Sequence, residues 1–197
     1  TMTLAGGSFN HNSGTVTIDL TGGIQHYCNM NGVTFYKLTI SGTIDCKFNS
    51  STITVNNDLT LSGANGIYIE DLTINAKGHI NTSGTNLGIN YWVIMNGTTP
   101  QTVTSTVTTG NNSFIALEIA SSSTVTLSGF IGVQRNLKYT SGTLSTSGST
   151  IEMYSSNSMY IEVAAMGSNM FDNLILNSGS GYNAYITGTV KVAGTLT

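Results

Sequence analysis

One local pattern recurs from end to end of this chain: a short run in which apolar and polar residues alternate, followed by a pair of turn-forming residues. Thr15-Val16-Thr17-Ile18, Phe35-Tyr36-Lys37-Leu38-Thr39-Ile40, Thr52-Ile53-Thr54-Val55, Leu59-Thr60-Leu61, Leu72-Thr73-Ile74, Thr124-Val125-Thr126-Leu127 and Leu174-Ile175-Leu176 all carry it. Alternation with period two places apolar side chains on one face of an extended strand and polar ones on the other. Gly22-Gly23, Asn31-Gly32, Ser41-Gly42, Ser62-Gly63, Asn96-Gly97, Ser128-Gly129 and Ser141-Gly142 stand between such runs and mark turns. Helix is disfavoured because Ala, Glu, Lys, Gln and Arg are too sparse for a sustained helical period, while Thr, Val, Ile and Tyr suit a pleated surface.

A longer match lies over this local one. Ile18, Phe35, Leu38, Ile40, Ile53, Val55 and Leu59 have counterparts in Met153, Phe171, Leu174, Leu176, Val190, Val192 and Leu196, and the offset drifts only from 135 to 137. Ser41-Gly42 likewise matches Ser178-Gly179, and Glu70-Asp71-Leu72-Thr73-Ile74 resembles Tyr36-Lys37-Leu38-Thr39-Ile40. Such self-similarity points to stacked units that share one core. Leu20, Leu38 and Leu59 are spaced by 18 and 21 residues, which suits one coil of about twenty residues holding two or three short strands. The expected architecture is therefore all-β, a parallel β-solenoid of roughly nine or ten coils, on the order of 45 Å long. An antiparallel β-sandwich is the alternative, since turns every 8–12 residues also suit it, but it gives no reason for the long-range match.

The 197 residues are read as a single repetitive domain, with 80–112, where the repeat fades, as either an irregular insertion or a further pair of coils. Val190-Lys191-Val192-Ala193-Gly194-Thr195-Leu196-Thr197 stops within a strand-like pattern, so a segment of a longer protein or a polymerising subunit is expected. Apolar residues make up 39% and charged residues only 8%, with a net charge of -3, a composition for an ordered chain that is polar without being charged. The basic residues Lys37, Lys47, Lys77, Arg135, Lys138 and Lys191 are scattered and form no stripe for phosphates, so nucleic acid is not an expected partner. No apolar run is long enough to span a bilayer as a helix.

The runs Phe35–Ile40 and Ile53–Gly63, together with Gly6–Val16 and Thr140–Gly148, resemble the degenerate repeats of large secreted microbial surface proteins, adhesin-like or surface-layer-like. That resemblance implies parallel β-helix repeats, an extracellular or cell-surface location and a structural or adhesive role. It carries no catalytic residues.

The residues themselves offer few candidates for chemistry. Asp19, Asp45, Asp58, Glu70, Asp71, Glu118, Glu152, Glu162 and Asp172 are dispersed. The only adjacent pair, Glu70-Asp71, points to opposite faces of a strand. No catalytic, cofactor or metal site is assigned, and a zinc site from His26, Cys28 and Cys46 lacks a fourth ligand. His11 and His79 have no evident partner. Cys28 and Cys46 lie 18 residues apart, near one coil length, and are either a disulfide between successive coils or two buried thiols. Asn49, Asn81, Asn96 and Asn111 begin Asn-x-Ser/Thr sequons and are candidate N-glycosylation sites, although a chain this rich in Asn, Ser and Thr forms such triplets by chance. Tyr91 and Trp92 are candidates for stacking on a sugar ring, with partial burial as packing residues the alternative. Thr-x-Thr runs could array hydroxyls towards ice or a crystalline polysaccharide, but their irregular spacing favours an ordinary solvated face.

These observations predict a non-enzymatic extracellular structural protein of a cell surface, sheath, surface layer or fibre, self-associating through its ends. An adhesin or carbohydrate-binding module, with surface glycans as partners, is the second expectation. A phage tailspike-type depolymerase is the third.

Overall fold

A computed structural model describes residues 2–3, 12–20, 26–42, 45–62, 67–83, 86–108, 113–146, 148–164 and 166–197. These residues form strands and turns and no helix. Two parallel ladders run the length of the molecule. The first stacks Thr15–Leu20, Lys37–Gly42, Leu59–Ser62, Ile80–Ser83 and Gln101–Thr106. The second stacks Met2–Thr3, His26–Asn29, Asp45–Val55, Ile67–Ala76 and Asn86–Met95. Both pass into one long bent strand, Phe114–Ser145, which wraps round the coil and belongs to each. Thr150–Ser155 and Met159–Val163 stack on the later part of that strand, at Phe130–Val133 and Asn136–Tyr139, and Asn173–Ser178 and Ala184–Thr187 stack on them in turn.

Every paired strand is parallel to its partner and about one coil away in sequence, so the fold is a parallel β-solenoid and not a sandwich. It has about seven turns rather than the nine or ten expected. The coil is longer than the Leu spacings suggest. Offsets between stacked partners are 24 at Gln101↔Val125 and at Trp92↔Ala116 and 25 at Met159↔Ala184, because each coil carries a straight run and a second run that bends in mid-course. At one interstrand spacing per turn the stack is roughly 35 Å tall. Of the stretch 80–112, Ile80–Ser83, Asn86–Met95 and Gln101–Thr106 stack in the two ladders; 84–85 and 109–112 lie outside the described residues.

The internal match in sequence is a match in hydrogen bonding. Phe35 pairs with Val55 and Leu38 with Leu59; their counterparts Phe171 and Leu174 pair with Val192 and Leu196. Asn56 N–H donates to Phe35 O (2.9 Å) and Ala193 N–H to Phe171 O (2.8 Å). Val33 N–H closes a turn on Met30 O (3.0 Å), and Asn169 N–H closes the equivalent turn on Met166 O (2.9 Å). Both methionines are buried.

Register explains the core. Val16, Leu38, Leu59, Ile80, Val103 and Leu127 stand one above another along the first ladder, and Ile53, Ile74, Val93 and Leu117 along the second. All but Val16, which is partly buried and packs against it, belong to a single buried apolar cluster running from Ile18 to Leu174. Burying each such side chain contributes about 1.5–3 kcal/mol relative to leaving it in water. No coil closes a core alone, since each apolar row is completed by the coils above and below.

Corners set the shape. Gly42 ends its strand at a φ of +128°, and a Cβ there would stand 2.3 Å from Leu20 O on the preceding coil. Only glycine allows the backbone to turn at that approach. A second corner is held by a buried amide. Gln101 Oε1 accepts from Gly97 N–H (2.9 Å), and Gln101 Nε2 donates to Ala76 O and Gly78 O (2.9 Å each), so one side chain ties two successive coils.

Candidate functional site

Cys28 and Cys46 lie on neighbouring strands of the second ladder, two places out of register since Cys46 stands opposite His26; both are buried, with sulfurs 3.2 Å apart as free thiols. Cys46 Sγ donates to Cys28 Sγ. This bond lowers the Cys28 pKa, whereas Cys46 is held well above the usual thiol range by the same bond and by burial. Burial makes both thiols poor targets in the folded state. The expected result is that iodoacetamide leaves the native protein unlabelled over minutes and adds two carbamidomethyl groups once it is unfolded in urea, as read by intact mass. The side chain of His26 and the whole of His11 lie outside the described residues. Nδ1 of His79 accepts from Thr102 N–H (3.1 Å), a contact between coils.

The sequons fall in different surroundings. Asn49 is exposed at a corner with φ +50°, and Asn81 is exposed on a strand. Asn96 is part-buried, and its Nδ2, the atom a glycan would take, donates to Asn75 Oδ1 on the coil below (2.9 Å). Asn111 lies outside the described residues.

Tyr91 cannot stack on a sugar. It points into the core and is fully buried, because neighbouring residues of a strand face opposite ways and its partner in register is the core residue Leu72. Trp92 takes the outward position, half-buried, beside Thr73. Burial pushes the Tyr91 pKa up, and its hydroxyl has no hydrogen-bond partner among the described residues. Removing an unpartnered buried hydroxyl relieves its desolvation cost. Tyr91→Phe should therefore leave the stability read by urea titration unchanged or raise it, by up to about 1 kcal/mol.

Glu70 and Asp71, expected on opposite faces, both reach Lys47 (3.5 and 3.9 Å) because the strand bends at Asp71, with its φ of +53°; among the described residues the other carboxylates are dispersed. Asp58 pairs with Lys37 (2.7 Å), Glu70 with Lys47 (3.5 Å) and Glu118 with Lys138 (3.3 Å), each between neighbouring coils. Glu152 is buried and accepts from Asn177 Nδ2 (3.1 Å), while Asp172 accepts from Gly148 N–H (2.6 Å). Among the described residues, no three of His, Cys, Asp and Glu are grouped to hold a metal ion.

The threonine runs are more regular than their spacing in sequence suggests. Register aligns Thr17, Thr39, Thr60, Asn81, Thr104 and Ser128 in one outward row on the first ladder. Unequal coil lengths hide this row in the sequence, because corners absorb the extra residues.

One concave feature was not singled out from the sequence. It is an open groove of about 380 Å³ lined by Arg135, Asn136, Asn157, Ser158, Tyr160 and Tyr182. A change of register makes it. The offset between stacked partners is 20 at Val133↔Met153 and 24 at Asn136↔Tyr160, so the upper coil bulges outward around Asn157 and Ser158. Tyr160 also stacks on Tyr185, with centroids 5.2 Å apart and planes 15° from parallel, and both rings are nearly half exposed. The available sequence signal was the gathering of Tyr154, Tyr160, Tyr182 and Tyr185 beside the polar stretches Ser155–Ser158 and Asn177–Gly181.

By fold, then, the chain is a repeat protein of the parallel β-solenoid class. No protein-family model matches it. No curated protein matches it, and no solved structure does. No helix among the described residues is long and apolar enough to cross a membrane.

Proposed function

We propose that this protein is a non-enzymatic structural element of an extracellular surface, sheath or fibre. The observation that carries this reading is the unbroken apolar column through successive coils, with the polar groups committed to contacts between those coils. Such an arrangement gives a stiff rod whose sides are weakly charged. Gold-labelled antibody against the protein, applied to intact cells of the organism that makes it, should decorate the outer surface in electron micrographs. Label confined to the cell interior would reject the location. Self-association through the ends predicts linear particles that lengthen with protein concentration in negative stain, and monodisperse particles at every concentration would reject it.

A second reading, contact with surface glycans, is favoured by the exposed Tyr160–Tyr185 stack at the edge of the groove. Aromatic rings with an apolar face and a polar rim suit the faces of sugar rings. A glycan array should show binding that Tyr160→Ala and Tyr185→Ala together abolish and Trp92→Ala leaves intact. Loss with Trp92→Ala alone would move the contact to the middle of the rod.

A further inference from the structure

We infer that the groove beside Arg135 receives the carboxylate of an acidic saccharide. This rests on the glycan-contacting reading and adds to it the charge of the ligand and the residue that recognises it.

Arg135 stands between Val133 and Asn136, where the offset to the next coil jumps from 20 to 24. The extra residues above it carry Asn157 and Ser158 outward. One coil further, the offset passes from 23 at Ser155↔Ser178 to 25 at Met159↔Ala184, across the stretch that holds Tyr182. Two successive lengthened corners thus open a notch in an otherwise smooth wall, with Arg135 beneath it.

The state of Arg135 is the second observation. Three of the lysines, Lys37, Lys47 and Lys138, pair with carboxylates on neighbouring coils. Arg135 has no ion pair among the described residues, and its Nε is buried without a hydrogen-bond partner there. A charged donor withdrawn from water and left unpaired is costly, and such groups are ordinarily satisfied. A planar carboxylate answers a guanidinium with two parallel hydrogen bonds, a match that a hydroxyl does not give.

The other lining groups fit a sugar ring. Asn136, Asn157 and Ser158 offer donors and acceptors for hydroxyls, and Tyr160 and Tyr182 offer ring faces. The volume is at the small end of ligand pockets, in keeping with a ring or two of an extended chain. Open access along the wall suits a polysaccharide that continues beyond the groove on either side.

The test is a glycan array on which uronate-bearing and sialate-bearing oligosaccharides stand beside neutral ones, followed by calorimetry with β-1,4-tetramannuronate and β-1,4-mannotetraose. These two tetrasaccharides differ only in the oxidation of C6. The wild-type protein should prefer the acidic member at least tenfold, and the preference should shrink as salt is raised. Arg135→Gln should bring the two affinities together by weakening chiefly the acidic one, while Tyr182→Ala should weaken both alike. Circular dichroism checks that each variant folds. Should Arg135→Gln fail to fold, Arg135→Lys keeps the charge and removes the fork, and a reduced preference is expected there too. Equal binding of acidic and neutral glycans by the wild type would overturn the role of Arg135 and leave glycan contact standing. Binding to neither would overturn both. A preference that survives Arg135→Gln would place the carboxylate elsewhere.

Discussion

Replacing Gln101 with Glu should cost roughly 3–5 kcal/mol at neutral pH, the range for a buried charge left without compensation. The native amide accepts from Gly97 N–H and donates to Ala76 O and Gly78 O, all in a buried corner. A carboxylate keeps the first contact and sets its negative charge against two carbonyl oxygens. Burial and those oxygens raise the folded-state pKa of the introduced carboxyl above its unfolded value of about 4.3. The sign of the pH dependence follows. Below about pH 4 the group is protonated in both states and the variant approaches wild type. As pH rises towards the folded pKa, the unfolded chain releases the proton first and stability is lost. Urea titrations at pH 4 and pH 7, with wild type run at both, read the difference directly. Gln101→Leu is the companion: it introduces no charge, leaves Gly97 N–H without its acceptor, and should cost about 1–3 kcal/mol with no such pH dependence. Equal and small effects from both variants would mean that this corner does not hold the coils together.

Gly42→Ala should cost about 3 kcal/mol or more, since a φ in the glycine-only region costs about 1–3 kcal/mol before any clash is counted. At Gly42, with its φ of +128°, the new methyl would also meet Leu20 O at 2.3 Å. That oxygen belongs to backbone, so relief requires two coils to move apart along the pairing of Thr15–Leu20 with Lys37–Gly42. Gly32→Ala is the control. It too has a positive φ, of +77°, but nothing lies within 4 Å of the added atom, and its cost should be near 1–2 kcal/mol. Because a solenoid need not unfold in one step, hydrogen exchange of the Lys37–Gly42 amides is the sharper readout. Faster exchange there in Gly42→Ala, with little change in Gly32→Ala, is the expected result. Equal behaviour of the two variants would show that the close approach of the coils has no energetic weight.

Much of the fold was legible because alternation and repetition are local or self-referential signals. The offset linking Phe35 and Leu38 to Phe171 and Leu174 connects residues that pair in the same way with their own neighbours. The number of coils was overestimated because Leu20, Leu38 and Leu59 mark spacings of 18 and 21, whereas later coils take up to 25 residues between partners. Bends within runs such as Ile67–Ala76, at Asp71 with its φ of +53°, leave no distinct mark in composition.

The site was far less legible. Tyr91-Trp92 drew attention as a pair, yet strand geometry allows only one of two neighbours to face outward, and packing on Leu72 decides that Tyr91 is inside. The notch at Arg135 depends on a difference in length between the corners of adjacent coils. A sequence read along one strand does not contain that difference, because it appears only once the coils are in register.

Amino-acid order by itself determined the class of structure: period-two alternation demands half-buried strands, and its recurrence demands that they stack on a shared core. Tertiary structure alone decided which residues meet, placing Cys28 against Cys46, aligning six hydroxyl and amide side chains from Thr17 to Ser128, and lining one groove with a guanidinium and two tyrosines. The physical reason is that alternation is set by the geometry of a single strand, whereas juxtaposition between coils is set by the cumulative length of every corner between them.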